Sequence, residues 1–179
     1  MKLATHPAED RARHTLNPEK TNRFFIDHLN RIYCAKSHLQ DRLPEMRTSA
    51  YFTDLVHAIT ETLVDVEQQI SRMNEIYLLL GIKPGFESCA GILGLIEDAF
   101  SAIHQGGDDP QTRDLSILFY LQNIESIEMA SFKMLKLAAP QLERKKIKQL
   151  LKENFDEASD DLALLRLITF RYFRSDARH

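Results

Sequence analysis

The sequence has no tryptophan, two cysteines, and only six glycines and six prolines among its 179 residues. Sandwiches and barrels need frequent turns, and Gly and Pro are the residues that mark them, so this scarcity argues against an all-β fold. Cys34 and Cys89 lie far apart and form no C-x-x-C pattern. The sequence therefore predicts neither a disulfide framework nor a zinc site, and it predicts that both cysteines are small buried hydrophobic residues in a reducing cytoplasm.

The chain also lacks an excess of positive charge and a long apolar run. Its formal net charge is −3, which gives no basic footprint for nucleic acid. No apolar run reaches the roughly 18 residues of a membrane span, and the first residues lack the apolar core of a signal peptide. We therefore expect a cytoplasmic protein that binds neither nucleic acid nor a membrane.

The sequence does contain long stretches with helical periodicity. Asn17 and Pro18 form an N-cap followed by a first-turn proline, and the segment ending at Pro110 repeats that pattern. Gly81 ends a helix, and two internal glycines weaken the short helix in "ESCAGILGLIEDAFSAIHQGG". The predicted helices are one of about 28 residues from residue 18 to "MRTS" that Pro44 can kink, then about 51–80, a short one of about 16 residues, about 110–139 and about 143–172.

Four long helices with a long crossover between the second and the third predict an all-α fold, a four-helix bundle whose crossover carries a short extra helix. We expect residues 1–16 to form a flexible N-terminal arm, residues 17–173 the bundle, and residues 174–179 a C-terminal tail.

A lysine interrupts the apolar stripe of the first helix. Lys36 occupies the position that the spacing of the stripe assigns to an apolar residue, and Glu125 and Glu128 do the same in the third long helix. An unpaired charge in a dry core costs several kcal/mol, so an acid should face this lysine. We expect Lys36 to pair with Glu125 or Glu128. The apolar members of the first stripe are Phe25, Leu29, Ile32, Leu39, Leu43 and Met46.

The other long helices also carry polar residues near their midpoints, which suggests a shared polar layer satisfied by metal ions or by mutual ion pairing. We expect Asp161 to lie at the rim and all seven histidines to lie at the surface. The polar residues are Thr62, Asp65 and Gln69 in the second helix, and Asn154, Glu157 and Asp161 in the fourth. The histidines are His6, His14, His28, His38, His57, His104 and His179.

Five blocks resemble, in order and spacing, the signature of the YciF-type ferritin-like bacterial stress proteins. They are "FFIDHLNRIYCAKSHLQDRLPEM", "QQISRMNEIYLLLG", "CAGILGLI", "RDLSILFYLQNIESIEMASF" and "LLKENFDEASDDLALL", and the resemblance covers about residues 22–168. It implies a ferritin-like four-helix bundle, a homodimer, and a carboxylate-rich site for two metals.

The resemblance also shows where this chain departs from the family. The pattern agrees at Tyr33, Leu39, Glu125, Glu128 and Glu157. Five positions depart from it: Lys36 replaces an acid, Thr62 and Ser126 replace histidines, Asp65 is a shortened acid or amide, and Ala158 replaces a glutamate.

Three functional hypotheses follow. The first is a non-catalytic protein without a cofactor or small-molecule substrate, in which Lys36 replaces the metals as counter-charge. The second is an iron or manganese protein or oxidase that uses Asp65, Glu125, Glu128 and Glu157, with help from Asp161 and Gln69. The third is an interaction module that binds a partner chain through an apolar face with Phe119, Tyr120 and Met129, or through the "FRYF" tail.

Overall fold

The computed structural model describes residues 17–85, 89–105, 109–139 and 145–175. The predicted N-terminal arm and the last four residues of the predicted tail lie outside these ranges. All elements in the described ranges are α-helical, as predicted. They are α1 (Pro18–Ser49), α2 (Thr53–Leu80), α3 (Ala90–Gln105), α4 (Pro110–Ala138) and α5 (Lys145–Ser175). None of these helices is both long enough and apolar enough to span a membrane.

The ends of the helices follow from the residues that mark them in the sequence. Asn17 Oδ1 accepts a hydrogen bond of 2.8 Å from Glu19 N, and Asp109 Oδ1 accepts one of 3.2 Å from Gln111 N. Gly81 ends α2 with φ of 69°, a left-handed conformation that glycine adopts without steric cost. Helix α1 is 32 residues long rather than about 28, and it continues through Pro44.

The four long helices form a closed ring, in which α1 packs on α2 and α4, and α5 packs on α2 and α4. Helix α3 lies outside this ring against α4 and α1. The crossover from α2 to α4 therefore carries the short extra helix, as predicted. Helix α5 extends two residues beyond the predicted end of the bundle at residue 173.

A buried aspartate fixes the turn between α1 and α2. Asp114 of α4 accepts hydrogen bonds from the backbone N–H groups of Tyr51 and Phe52, at 2.9 and 2.6 Å. Phe52 is the N-cap of α2, and its own side chain makes no capping hydrogen bond. The carboxylate of a neighbouring helix thus performs the capping role for α2.

The two cysteines differ from the prediction. Cys34 and Cys89 are joined in a disulfide, with 6.4 Å between their Cα atoms and a sequence separation of 55. Spacing alone could not predict this, because the pairing depends on how the crossover folds back onto α1. The expectation of two unpaired buried thiols was wrong.

The apolar core is divided into two clusters along the bundle axis. One cluster includes Leu39 of α1, Val66 of α2, Ile124 of α4 and Leu165 of α5. The other includes Ile32, Met73, Phe132 and Ala158 of the same four helices. On each long helix, polar residues separate the members of one cluster from those of the other.

Candidate functional site

The polar layer between the two apolar clusters contains the residues predicted from the sequence. Lys36 lies between Ile32 and Leu39 of α1, and its side chain has no exposed surface. Glu125 and Glu128 lie between Ile124 and Phe132 of α4 and are also fully buried. Gln69 and Asp161 are the other buried polar residues between members of the two clusters, whereas the buried Thr62 lies between members of the first cluster and the buried Asn154 between members of the second.

Lys36 forms an ion pair with Glu128. The ammonium Nζ contacts Glu128 Oε2, and neither side chain is exposed. Burial alone would lower the pKa of Lys36, but attraction to Glu128 and Glu125 outweighs burial and raises that pKa above its usual value. The lysine is therefore charged at neutral pH.

The carboxyls of Glu125 and Glu128 lie side by side on successive turns of α4. Burial raises the pKa of Glu125 well above its usual value, against the attraction of Lys36, and the neighbouring carboxyl of Glu128 raises it further. Two carboxylates offer only acceptors to each other, whereas a protonated Glu125 can donate a hydrogen bond to Glu128. Burial raises the pKa of Glu128 as well, but Lys36 lowers it, so Glu125 holds a proton more tightly than Glu128, which contacts the lysine.

A second pair of carboxyls lies across the bundle, between Asp65 of α2 and Asp161 of α5. Asp161 is buried, with 5% of its surface exposed, so the expectation that it lies at the rim was wrong. Burial and the charge of Asp65 raise the pKa of Asp161 to about 7. Asp65 is half-buried, and its pKa is raised by burial and by Glu157, while a hydrogen bond with Asp161 acts in the opposite direction.

Glu157 is held by a residue that the sequence analysis missed. Arg72 of α2 donates two hydrogen bonds of 2.6 Å to it, from Nη1 to Oε2 and from Nη2 to Oε1. Arg72 Nε also lies 3.2 Å from Glu153 Oε2. This geometry is the bidentate pairing that a guanidinium and a carboxylate favour. The sequence feature that could have pointed to Arg72 is its position directly before Met73, which belongs to the apolar stripe of α2.

The predicted acids differ in the side chain that each one contacts, although the charges of Lys36, Glu128 and Glu157 also act on Asp161. Glu125 and Glu128 face Lys36, Asp65 faces Asp161, and Glu157 faces Arg72. Across the described residues, no group of three Asp, Glu, His or Cys side chains is arranged to hold a metal ion. Gln69 is fully buried, and its amide atoms have no hydrogen-bond partner within the described residues.

The predicted surface residues are mostly exposed, with exceptions. His57 and His104 are exposed, and His38 lies at the surface, where its side chain is 33% exposed and contacts the exposed Glu97. His28 is half-buried and its Nε2 is buried, so the surface prediction was wrong for His28. His6, His14 and His179 lie outside the described residues. Phe119 is 60% exposed. Tyr120 and Met129 pack partly against the core, and Tyr172 of the "FRYF" segment is buried against Phe52.

Comparison with known proteins extends this description. The family model described as "Domain of unknown function (DUF892)" matches residues 20–174. Protein YciF of Escherichia coli (strain K12) is 27% identical over 143 residues, which cover 79% of this chain and 86% of that protein.

Two solved structures share the fold. The structure of the E. coli stress protein YciF superposes with a TM-score of 0.81 at 25% identity and covers 86% of this chain and 97% of that chain. YcfI from Rhodopseudomonas palustris superposes with a TM-score of 0.76 at 27% identity, covering 87% and 96%. These likenesses confirm the ferritin-like bundle that the sequence resemblance implied. The chain belongs to the DUF892 family of YciF-type proteins.

Proposed function

We propose that this protein is a non-catalytic YciF-like protein in which a buried lysine–carboxylate cluster stands where a metal centre would otherwise lie. The observation that carries the proposal is the contact between Lys36 Nζ and Glu128 Oε2, both without exposed surface. A lysine is a compact charge on a flexible stem, which suits it to reach across a bundle core. The ammonium supplies the positive charge that buried carboxylates require.

The donor set does not fit a pair of metal ions. A fixed ammonium beside Glu128 repels an incoming cation and occupies an oxygen that would bind it. Glu157, a second ligand candidate, already accepts two hydrogen bonds from Arg72. The side chains of Lys36 and Arg72 therefore balance much of the negative charge of the polar layer.

The same contacts support a role without catalysis. Glu125 and Glu128 are fully buried, so a substrate has no surface of either carboxyl to approach. A general base must also be ionised and able to accept a proton, and a carboxylate neutralised by an adjacent lysine is a poor one.

Metal analysis of protein purified without chelator tests this proposal. We expect far less than one iron or manganese per chain, also after incubation with either ion. Lys36→Glu restores an acid at this position and should increase metal retention, whereas Lys133→Glu, at an exposed position of α4, should not. Near-stoichiometric iron or manganese in the unaltered protein would instead support the alternative, a carboxylate-bridged di-iron or di-manganese protein or oxidase.

We further propose that the protein acts as a homodimer in the bacterial cytoplasm in a stress-related role. The E. coli relative is described as a stress protein. Helices α4 and α5 also expose large apolar side chains that a second copy could cover. These are Phe119, Ile127, Met134, Leu137, Leu167, Phe170 and Phe173. Light scattering after size exclusion should give twice the chain mass, and a monomer would contradict this assembly.

A further inference from the structure

The disulfide between Cys34 and Cys89 lies outside the charged cluster and has no role in the proposed function. Cys34 is in the interior of α1, and Cys89 directly precedes α3, which begins at Ala90. The link thus connects the middle of a bundle helix to the start of the crossover helix. A pair of cysteines that folding brings together across 55 residues is a candidate redox site.

The two sulfur atoms have different electrostatic surroundings. The backbone oxygen of Cys89 accepts hydrogen bonds from Ile92 N at 3.0 Å and Leu93 N at 3.1 Å, so Cys89 is the N-cap residue of α3. The positive end of a helix dipole stabilises a thiolate at that position. Cys34 lies inside a helix and lacks this stabilisation. Cys89 is therefore the better attacking thiolate, and Cys34 is the better resolving thiol.

Cys89 keeps 6% of its surface exposed and is one of the residues that line a cavity. Its volume is about 210 Å³, and Cys89, Ile92, His28 and Arg31 are among its lining residues. Arg31 brings a positive charge to the same cavity, and a cation near a cysteine favours the thiolate. His28 Nε2 is buried without a hydrogen-bond partner among the described residues, and burial together with Arg31 lowers the pKa of His28. A neutral imidazole at the cavity is available to exchange a proton with a bound reagent.

We propose that Cys34 and Cys89 form a reversible thiol–disulfide site at which hydrogen peroxide is the oxidant. The Cys89 thiolate attacks one peroxide oxygen, so that an S–O bond forms, the O–O bond breaks and hydroxide leaves. Cys34, as a thiolate, then attacks the Cys89 sulfur, forms the S–S bond and releases a second hydroxide. The protons lost by the two thiols convert both hydroxides to water. A dithiol restores the reduced pair by thiol–disulfide exchange and becomes a disulfide itself.

The oxidised link has a structural consequence. Ile92 in the first turn of α3 packs against both apolar clusters of the core. The disulfide holds this turn against α1, so reduction releases a constraint at the junction of the two clusters. Oxidation state and the packing of the crossover are therefore coupled.

Hydrogen peroxide is the probe that tests this site. The full chain is reduced with dithiothreitol, desalted into chelator-containing buffer so that free iron cannot consume peroxide, and then mixed with one equivalent of peroxide. We expect both thiols to be lost for each peroxide consumed, with an intramolecular disulfide mapped by mass spectrometry. Retention of both thiols, or a disulfide only between chains, would overturn the proposal.

Single variants test the roles of the two cysteines. Cys34→Ser should form a sulfenic acid at Cys89 that dimedone traps, and Cys89→Ser should react about tenfold more slowly at pH 7. Equal rates for the two variants would contradict the assignment. His28→Gln should slow the first step, whereas His57→Gln, at an exposed position of α2, should not.

A second measurement, on the unaltered chain, tests whether Cys89 is the attacking thiolate even if a variant does not fold. In the reduced unaltered chain, limiting iodoacetamide should alkylate Cys89 before Cys34, and the rate for Cys89 should reach its plateau at a lower pH than an ordinary thiol. Earlier labelling of Cys34 would contradict the proposal.

Discussion

Arg72 of α2 and Glu157 of α5 are joined by two parallel hydrogen bonds of 2.6 Å each. This pair lies at the edge of the bundle, where both side chains keep part of their surface exposed. Glu157 is thereby engaged at the edge, while Lys36 balances the buried carboxyls of α4 at the centre. The polar layer thus has a central cation and a peripheral one on different helices.

The Arg72 pair can be measured by a double-mutant cycle with Arg72→Met and Glu157→Gln. We expect a coupling free energy of about 1 kcal/mol, because the geometry is bidentate but the pair remains partly exposed. Arg72→Lys should lose much of this coupling, since an ammonium cannot form the parallel bonds. The exposed pair of Arg23 and Asp27, at 3.8 Å, is the matched control and should show no measurable coupling. Equal coupling in both pairs would contradict this view.

Asp161 should make the stability of the protein depend on pH. Its pKa rises from 3.8 to about 7 on folding, so between these values the native state keeps a proton that the unfolded chain releases. The favourable contribution of Asp161 to the free energy of unfolding is therefore fully present below about pH 4. It is lost as the pH rises to about 7, which lowers the free energy of unfolding by up to about 4 kcal/mol. Asp161→Asn should flatten this part of the stability profile and increase stability at pH 8.

Urea unfolding from pH 4 to pH 8 measures this effect. Asp160→Asn, at the exposed neighbouring position, is the control and should leave the slope unchanged. A profile for Asp161→Asn that runs parallel to that of the unaltered protein would show that Asp161 does not hold the proton.

Asp114 should contribute to stability through the cap that it provides for α2. Asp114→Asn leaves one acceptor oxygen for two backbone donors, at Tyr51 and Phe52. We expect the free energy of unfolding to fall by about 1–3 kcal/mol, since a buried N–H then lacks its partner. The control is Glu61→Gln, which removes a charge at an exposed position of α2 and should leave the free energy of unfolding almost unchanged. Thermal unfolding of both variants provides the comparison, and equal melting temperatures would refute the cap.

Much of the fold could be predicted from the sequence because its signals are local. Asn17 with Pro18, Asp109 with Pro110, and Gly81 mark helix ends through capping and backbone conformation. The spacing of three and four residues also places Lys36 on the buried stripe of α1, because helical geometry decides which residues share a face.

The residues that were missed depend on how the helices meet. Asp161 lies in the stripe of α5, three residues after Ala158 and four before Leu165, but an acid at such a position can also lie at the wet rim of the bundle. The packing of α2 beside α5 decides that it is buried. Arg72 reaches Glu157 across 85 residues of sequence, and Cys34 meets Cys89 across 55. Spacing within one helix carries no information on such contacts, because they are set by rotation and register between helices.

The most direct measurement of the central claim is the free energy of unfolding of Lys36→Met, measured with urea near pH 8. Loss of the ammonium leaves Glu128 buried beside Glu125 without its cation, so we predict a loss of about 3–5 kcal/mol. Adding Glu128→Gln to this variant should restore part of the loss, and Lys133→Met at the surface should cost little. Unchanged stability of Lys36→Met would contradict the account, because the lysine would then not be balancing the charge of the buried carboxyls.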